Sequence, residues 1–374
     1  MKMKYLATIF LLLSGMYWGN PLFAQKSADE GKGQFSWKLL GRVFFDGGVI
    51  NRDSTVTSFQ VNDLRMGVSV HFLDYWDGKI ELGYGDSKIS LKDVYVDYAR
   101  GAHLVRLGYY FEPFGNARVG TANYRFMAEP VADKILGDKR KLGISYDYHR
   151  ERMNVTAGVF SGGDIEKSKP LNQGYIFAAK WVGRPLMKDK KLIHIGVAPR
   201  FSSTTSEVSY GGGAPTDLLS KGENSILAAR VDRVINQWKL DLEVILLYNK
   251  WYAQGRYFQS HLNRSVVRNY NAKGGYVQAG YMILGEKHNY NPATGMIANP
   301  APGSLEALVR YDNVDLNSAG ILGGKLTNVS LGMNYFINKY VAAKVNYSRV
   351  MPDKTAPGGD KNYDVFQARI QLSF

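Results

Sequence analysis

The sequence predicts an all-β fold, a 16-stranded antiparallel barrel that crosses a membrane. Three observations predict it. Apolar and polar residues alternate with a period of two along most of the chain. An export signal stands at the start, with no later apolar run of helical length. The last residues form one more amphipathic strand that stops on an aromatic. Only helices and closed barrels satisfy every backbone group inside a bilayer, so an exported membrane chain without spanning helices has one architecture left.

The alternation comes first. In "SWKLLGRVFFDG", Trp37, Leu39, Val43 and Phe45 share one face and Lys38, Arg42 and Asp46 the other. In "LRMGVSVHF", Leu64, Met66, Val68, Val70 and Phe72 oppose Arg65, Ser69 and His71. "WKLDLEVILLY" sets Trp238, Leu240, Leu242 and Val244 against Lys239, Asp241 and Glu243, and "SLEALVRYDN" sets Leu305, Ala307, Val309 and Tyr311 against Glu306, Arg310 and Asp312. Such segments are strands with one apolar and one polar face. Sixteen of them lie near residues 36–50, 57–72, 78–85, 88–100, 102–111, 140–150, 152–162, 173–184, 191–201, 225–235, 236–251, 273–285, 304–316, 324–338, 339–351 and 362–374. Single-chain outer-membrane barrels have an even strand number. Short connectors ("NRDS", "HRER", "INK") alternate with longer ones at 112–139, 202–224, 252–272 and 286–303. Short periplasmic turns and long outer loops alternate in this way. A secreted β-sandwich would also alternate, but needs fewer strands.

The export signal comes second. Lys2 and Lys4 precede an apolar run from Tyr5 to Leu13 and then "GMYWGNPLFAQ", the pattern of a secretory signal. The run is shorter than the ~20 residues a spanning helix needs. The expected division is a signal peptide over 1–24, a short segment over 25–35 and the barrel over 36–374. The chain has no cysteine, so an exported protein must hold together without disulfides, as a closed sheet does.

The final strand comes third. Phe366, Ala368, Ile370, Leu372 and Phe374 fall on one face, with Gln367, Arg369, Gln371 and Ser373 on the other. Soluble domains usually fray into polar residues instead. An aromatic last residue on the apolar face resembles the signal read by the barrel-assembly machinery, which assigns that role to Phe374. The 25 Tyr and 6 Trp would populate aromatic girdles at the two membrane interfaces.

Several segments together resemble the phosphate-selective porin O and P family. "GSLEALVRYDNVDLN", "GGKLTNVSLGMNYFINKYVAAKVNYSRV" and "VFQARIQLSF" look like its C-terminal part. "LKDVYVDYA" and "LVRLGYYFEPFG" look like its central segment, where a strand leads into a Pro-Phe-Gly turn. The pattern departs from the family at Phe111 and Glu112, where a Lys is common, and at Pro130, where an Arg is expected. The resemblance implies a homotrimeric outer-membrane porin. It also implies that the loop after Pro-Phe-Gly, "NARVGTANYRFMAEPVADKILGDKR", folds into the lumen as a constriction, and that inward Arg and Lys draw anions through.

The formal charge is +14, and two of those charges, Lys2 and Lys4, would leave with the signal. Excess positive charge in a pore concentrates anions, because low-dielectric walls focus the field. The candidate anion-pathway residues are Arg118, Arg125, Lys134 and Arg140 in or beside the loop, and Arg42, Arg65, Arg106, Arg310 and Arg369 on strand polar faces. The same faces carry Lys180, Arg200, Arg230 and Lys344, and the acids Asp46, Glu81, Asp97, Asp147, Asp232, Asp241, Glu243, Glu306 and Asp312. Many of these would pair across strands as wall ion pairs. The expected function is passive diffusion of small hydrophilic solutes, biased toward anions such as phosphate or polyphosphate. The expected partners are outer-membrane lipid and lipopolysaccharide.

Other classes fit less well. The six histidines show no His-Glu-x-x-His spacing, and no enzyme, metal or cofactor is expected. "GILGGK" lacks the first glycine of a phosphate loop. Nucleic-acid binding conflicts with export and with basic residues spread over strands and loops alike. A plugged nutrient receptor needs 22 strands. The remaining alternative is a structural or adhesive barrel with a closed lumen.

Overall fold

The computed structural model describes residues 35–85, 88–115, 125–137, 139–163, 165, 173–219 and 223–374, with backbone only at 204–206. The expected signal peptide, most of the segment after it, and Arg118 lie outside the described residues.

Alternating sequence makes alternating strands. The first wall is β1 (Ser36–Asn51), β2 (Thr55–Phe72), β3 (Trp76–Gly85), β4 (Lys88–Arg100), β5 (His103–Phe111), β6 (Arg140–Arg150) and β7 (Met153–Ser161). Longer strands follow: β8 (Tyr175–Lys188), β9 (Lys191–Gly212), β10 (Leu227–Tyr248), β11 (Trp251–Arg264) and β12 (Tyr270–Leu284). The wall is completed by β15 (Ser304–Ser318), β16 (Ile321–Phe336), β17 (Val341–Pro352) and β18 (Tyr363–Ser373). Each pairs antiparallel with its neighbours, and β1 pairs with β18, so the sheet is a closed barrel of 16 strands with no free edge. A separate hairpin, β13 (Asn289–Asn291) and β14 (Met296–Ala298), sits between β12 and β15. Among the described residues one short helix, α1 (Val131–Leu136), follows β5.

Outward side chains such as Leu107, Ile144, Val277 and Leu331 are apolar and exposed, forming a surface that suits lipid rather than water. No helix among the described residues is long and apolar enough to cross a membrane.

The strand count agrees with the sequence reading, but two errors cancel inside it. Segments 225–235 and 236–251 are one strand, β10; β11 occupies residues expected to be a long loop. Likewise β9 runs on to Gly212, so the 202–224 loop shrinks to 213–226. Two register shifts on either side of Val234 join the halves of β10. One slip moves every side chain to the other face and the second restores it, so odd-numbered residues face inward in both halves. Arg230 and Asp232, expected on the polar inner face, therefore point outward, and Ala229 and Val231 are buried inside.

The connectors also depart from expectation. Links 73–75, 101–102, 151–152, 189–190, 249–250 and 337–340 lie at one end, and every one is short. The connector 285–303 shares that short-turn end, although it was expected among the outer loops. "NRDS" joins β1 to β2 at the opposite end, beside the long loops.

Candidate permeation pathway

Among the described residues, three segments fold inward. The loop 112–139 enters from the long-loop end through its Pro-Phe-Gly turn. Gly115 takes φ of 64°, a left-handed conformation that favours glycine, and a Cβ there would meet Asp133 Oδ1 at 2.9 Å. The Gly115 N–H donates to Asp241 Oδ2 at 3.1 Å, and Phe114 packs 6.1 Å from Phe258. α1 then buries Val131, Ala132, Ile135 and Leu136 against Tyr210, Leu227, Tyr276 and Leu316 of the wall. The loop 213–226 crosses to β1, β2 and β18: Thr216 Oγ1 donates to Gln367 at 2.9 Å and Gln60 donates to the Asp217 carbonyl at 2.5 Å.

The third segment comes from the short-turn end. Arg184, fully buried on β8, holds the β13–β14 hairpin. It donates to the Tyr290 hydroxyl at 2.7 Å, the Pro292 carbonyl at 2.6 Å and the Glu151 carbonyl at 2.8 Å. The Tyr290 hydroxyl also lies 2.7 Å from His194 Nδ1. The hairpin reaches the constriction loop, because Arg125 Nη2 donates to the Ala298 carbonyl at 2.8 Å.

These inserts fill one side of the lumen. Along β8–β12 and β15–β18 the inward charges are paired and buried. Arg369 grips Asp46 with two nitrogens at 2.6 and 2.5 Å and donates to the Met127 carbonyl at 2.8 Å; its side chain is 2% exposed. Arg256 meets Asp241 at 3.0 Å and Glu243, Lys180 meets Glu243 at 3.0 Å, and Arg200 meets Glu112 at 2.8 Å. The sequence departure at Glu112 thus has a partner in the opposite wall.

The β1–β6 side differs. A row of alternating charge crosses it: Arg42 to Asp63 (2.5 Å), Asp63 to Arg65 (2.9 Å), Arg65 to Glu81 (3.0 Å), Glu81 to Lys79 (2.8 Å), Lys79 to Asp93 (3.0 Å) and Asp93 to Arg140 (2.7 Å). These side chains keep 11–21% of their surface in contact with water. Beyond them Arg106 forks onto Asp97 with both contacts at 2.7 Å and lies 3.7 Å over the Tyr95 ring. Four cations face three carboxylates in the row. The carboxylates hold the cations upright and offset most of their charge.

Of the residues singled out in the sequence, Arg42, Arg65 and Arg140 are brought together in this row, with Arg106 nearby. Arg125, Arg310 and Arg369 lie buried on the filled side, touching the constriction loop's backbone or its neighbours. Lys134, on α1, contacts Asp217 of the crossing loop at 3.3 Å. Phe374 pairs its backbone with Gly41 at 2.9 and 3.0 Å and leaves its ring on the outer surface. The sequence reading missed Asp63, Lys79 and Asp93. Lys79 was within reach, since Lys79 and Glu81 alternate with Ile80 and Leu82. Asp93 was not, because a register shift between Ile80 and Leu82 sets its face.

A closed 16-stranded barrel with an apolar belt, inward charges and a loop folded into its lumen is the architecture of outer-membrane porins. The model of one family, "Phosphate-selective porin O and P", matches residues 44–374, and the chain belongs to that family. An uncharacterized protein of Caulobacter vibrioides is 22% identical over 376 residues, covering 91% of this chain and 75% of its own. Porin O of Pseudomonas aeruginosa is 27% identical over 139 residues, 33% of this chain and 32% of its own. Among solved structures, an anion-selective porin from Comamonas acidovorans superposes with a TM-score of 0.62 at 13% identity, covering 91% of this chain and all of that one. A trimer form of OmpT from Vibrio cholerae does so with 0.59 at 12% identity, covering 92% of this chain and 100% of its own. The protein is an outer-membrane porin.

Proposed function

We propose that small anions, phosphate or polyphosphate among them, diffuse passively along the β1–β6 side of the lumen, past the row from Arg42 to Arg140. One observation carries this: the row is a stretch of lumen wall whose charges remain partly in water, and it holds one more cation than carboxylates. Arg65, Lys79 and Arg106 would meet the permeating ion, with Arg118 and Lys134 contributing from the inserted loop. Arg125, Arg310 and Arg369 act by holding that loop against the far wall. Because the row's excess is one charge, the anion preference is modest. The working protein is a homotrimer, matured by cleavage after Ala24 and inserted by way of its Phe374 strand.

Single-channel recording in a planar bilayer under a salt gradient tests the reading. Stepwise openings with a reversal potential displaced toward that of the anion support it, and phosphate should then reduce the chloride current. A folded barrel that stays silent favours a structural barrel with a closed lumen, a reading supported by the three inserts.

A further inference from the structure

A cavity of about 40 Å³ lies between the constriction loop and the wall of β10, β11, β12 and β15, bounded by Met296 and Ile297 of the hairpin. That is room for about three water-sized particles. Guanidinium groups of Arg125, Arg256 and Arg310 line it against one carboxylate, Glu243. Gln254 and Gln278 line it as well.

Two of the guanidiniums are answered. Arg125 Nη1 meets Glu306 at 3.3 Å; Arg256 meets Asp241 at 3.0 Å and Glu243. Arg310 is different. It is 3% exposed, and among the described residues no carboxylate forms an ion pair with it. Its Nη1 donates to the Ala128 carbonyl at 3.1 Å, its Nε finds no acceptor, and the Phe126 ring covers it at 4.4 Å. The acid two positions along, Asp312, accepts the N–H groups of Val131 and of Ala132 (3.1 Å). Gln278 donates to Gln254 Oε1 at 3.0 Å, which leaves the Gln254 N–H₂ as a further donor beside the cavity. Asp312 attracts Arg310 only from beyond ion-pair distance, and a buried cation without a carboxylate in contact is costly.

We propose that a monovalent anion of halide size occupies this cavity as the counter-ion of Arg310 and fastens the constriction loop to the wall. The cavity is too small for polyphosphate. It also lies on the filled side, away from the Arg42–Arg140 row, and stands whether or not the barrel conducts.

The test is heat modifiability of the refolded barrel on gels, in sodium chloride and in sodium gluconate at equal ionic strength. Gluconate is too large to enter. The unfolding temperature should rise with chloride and not with gluconate, and Arg310→Met should abolish the difference. Arg65→Met, in the open row, should leave it intact. Crystals grown in bromide should show an anomalous peak beside Arg310. Equal unfolding temperatures in the two salts overturn the proposal, as does a chloride effect that survives in Arg310→Met. Should Arg310→Met fail to fold, the bromide crystals decide: a peak supports the site, and water alone in the cavity overturns it.

Discussion

The two sides of the lumen are built from the same residue types and use them differently. On the β1–β6 side, ion pairs form a chain in which each interior member serves two neighbours, and water reaches all of them. On the β8–β18 side, pairs such as Arg369–Asp46 are sealed under inserted loops and double as clamps on loop carbonyls. Partly hydrated pairs contribute little to stability, about 0–1 kcal/mol each. A sealed pair that loses one member strands a buried charge, at a cost of about 3–5 kcal/mol. One side is therefore suited to tuning what passes, and the other to holding the passage in shape.

The largest test removes part of the filled side. Replacing residues 289–298 with a two-residue turn should open the short-turn mouth and raise single-channel conductance several-fold; an unchanged conductance would mean the hairpin does not bound the passage. Next, Arg369→Met should lower stability by about 3 kcal/mol or more through the stranded Asp46, measured by urea unfolding in detergent. The same variant should leave the reversal potential where it was. Lys79→Gln should do the reverse: stability shifts by less than about 1 kcal/mol, because Glu81 keeps Arg65 and Asp93 keeps Arg140. Its reversal potential should move toward the cation, since the row loses its excess charge.

The smallest effect concerns pH. His288, in the 285–303 connector, has its pKa lowered to about 4 from an ordinary 6.5, by burial first and the nearby Arg125 second. The unfolded connector therefore takes up a proton before the folded one does. Its contribution is full above pH 6.5 and is lost as pH falls toward 4. Amide exchange in the connector should accelerate across that window, and His288→Gln should flatten the dependence.

The sequence was most readable where the inner positions of a strand are uniformly polar. Where one face meets lipid and the other water, parity of residues reports both, as in "LRMGVSVHF" of β2. Where inserts pack on the wall, apolar residues join polar ones on the inner face and the pattern blurs. In β11, Trp251 and Tyr257 face out while Tyr252, Phe258 and Leu262 face a packed interior, and the strand passed for a loop. The same filling puts Ala229 and Val231 on the inner face in the outer half of β10 and leaves Arg230 and Asp232 outside. Candidate cations were legible as members of polar faces. Their partners were not, because register alone decides that Lys79 lies across from Tyr95, one step from Asp93, and that Arg369 meets an acid 323 positions away.

That last separation bears on the order of events during assembly. Ten residue pairs, from Arg42 with Ser373 to Asn51 with Asp364, join β1 to β18. Until they form, the nascent sheet has two bare edges, each able to recruit a stray strand. Contacts between the two extremities of a chain are slow to find by chance. Closure of this seam is thus the natural last act of folding, and the interval before it is when the protein most needs an escort.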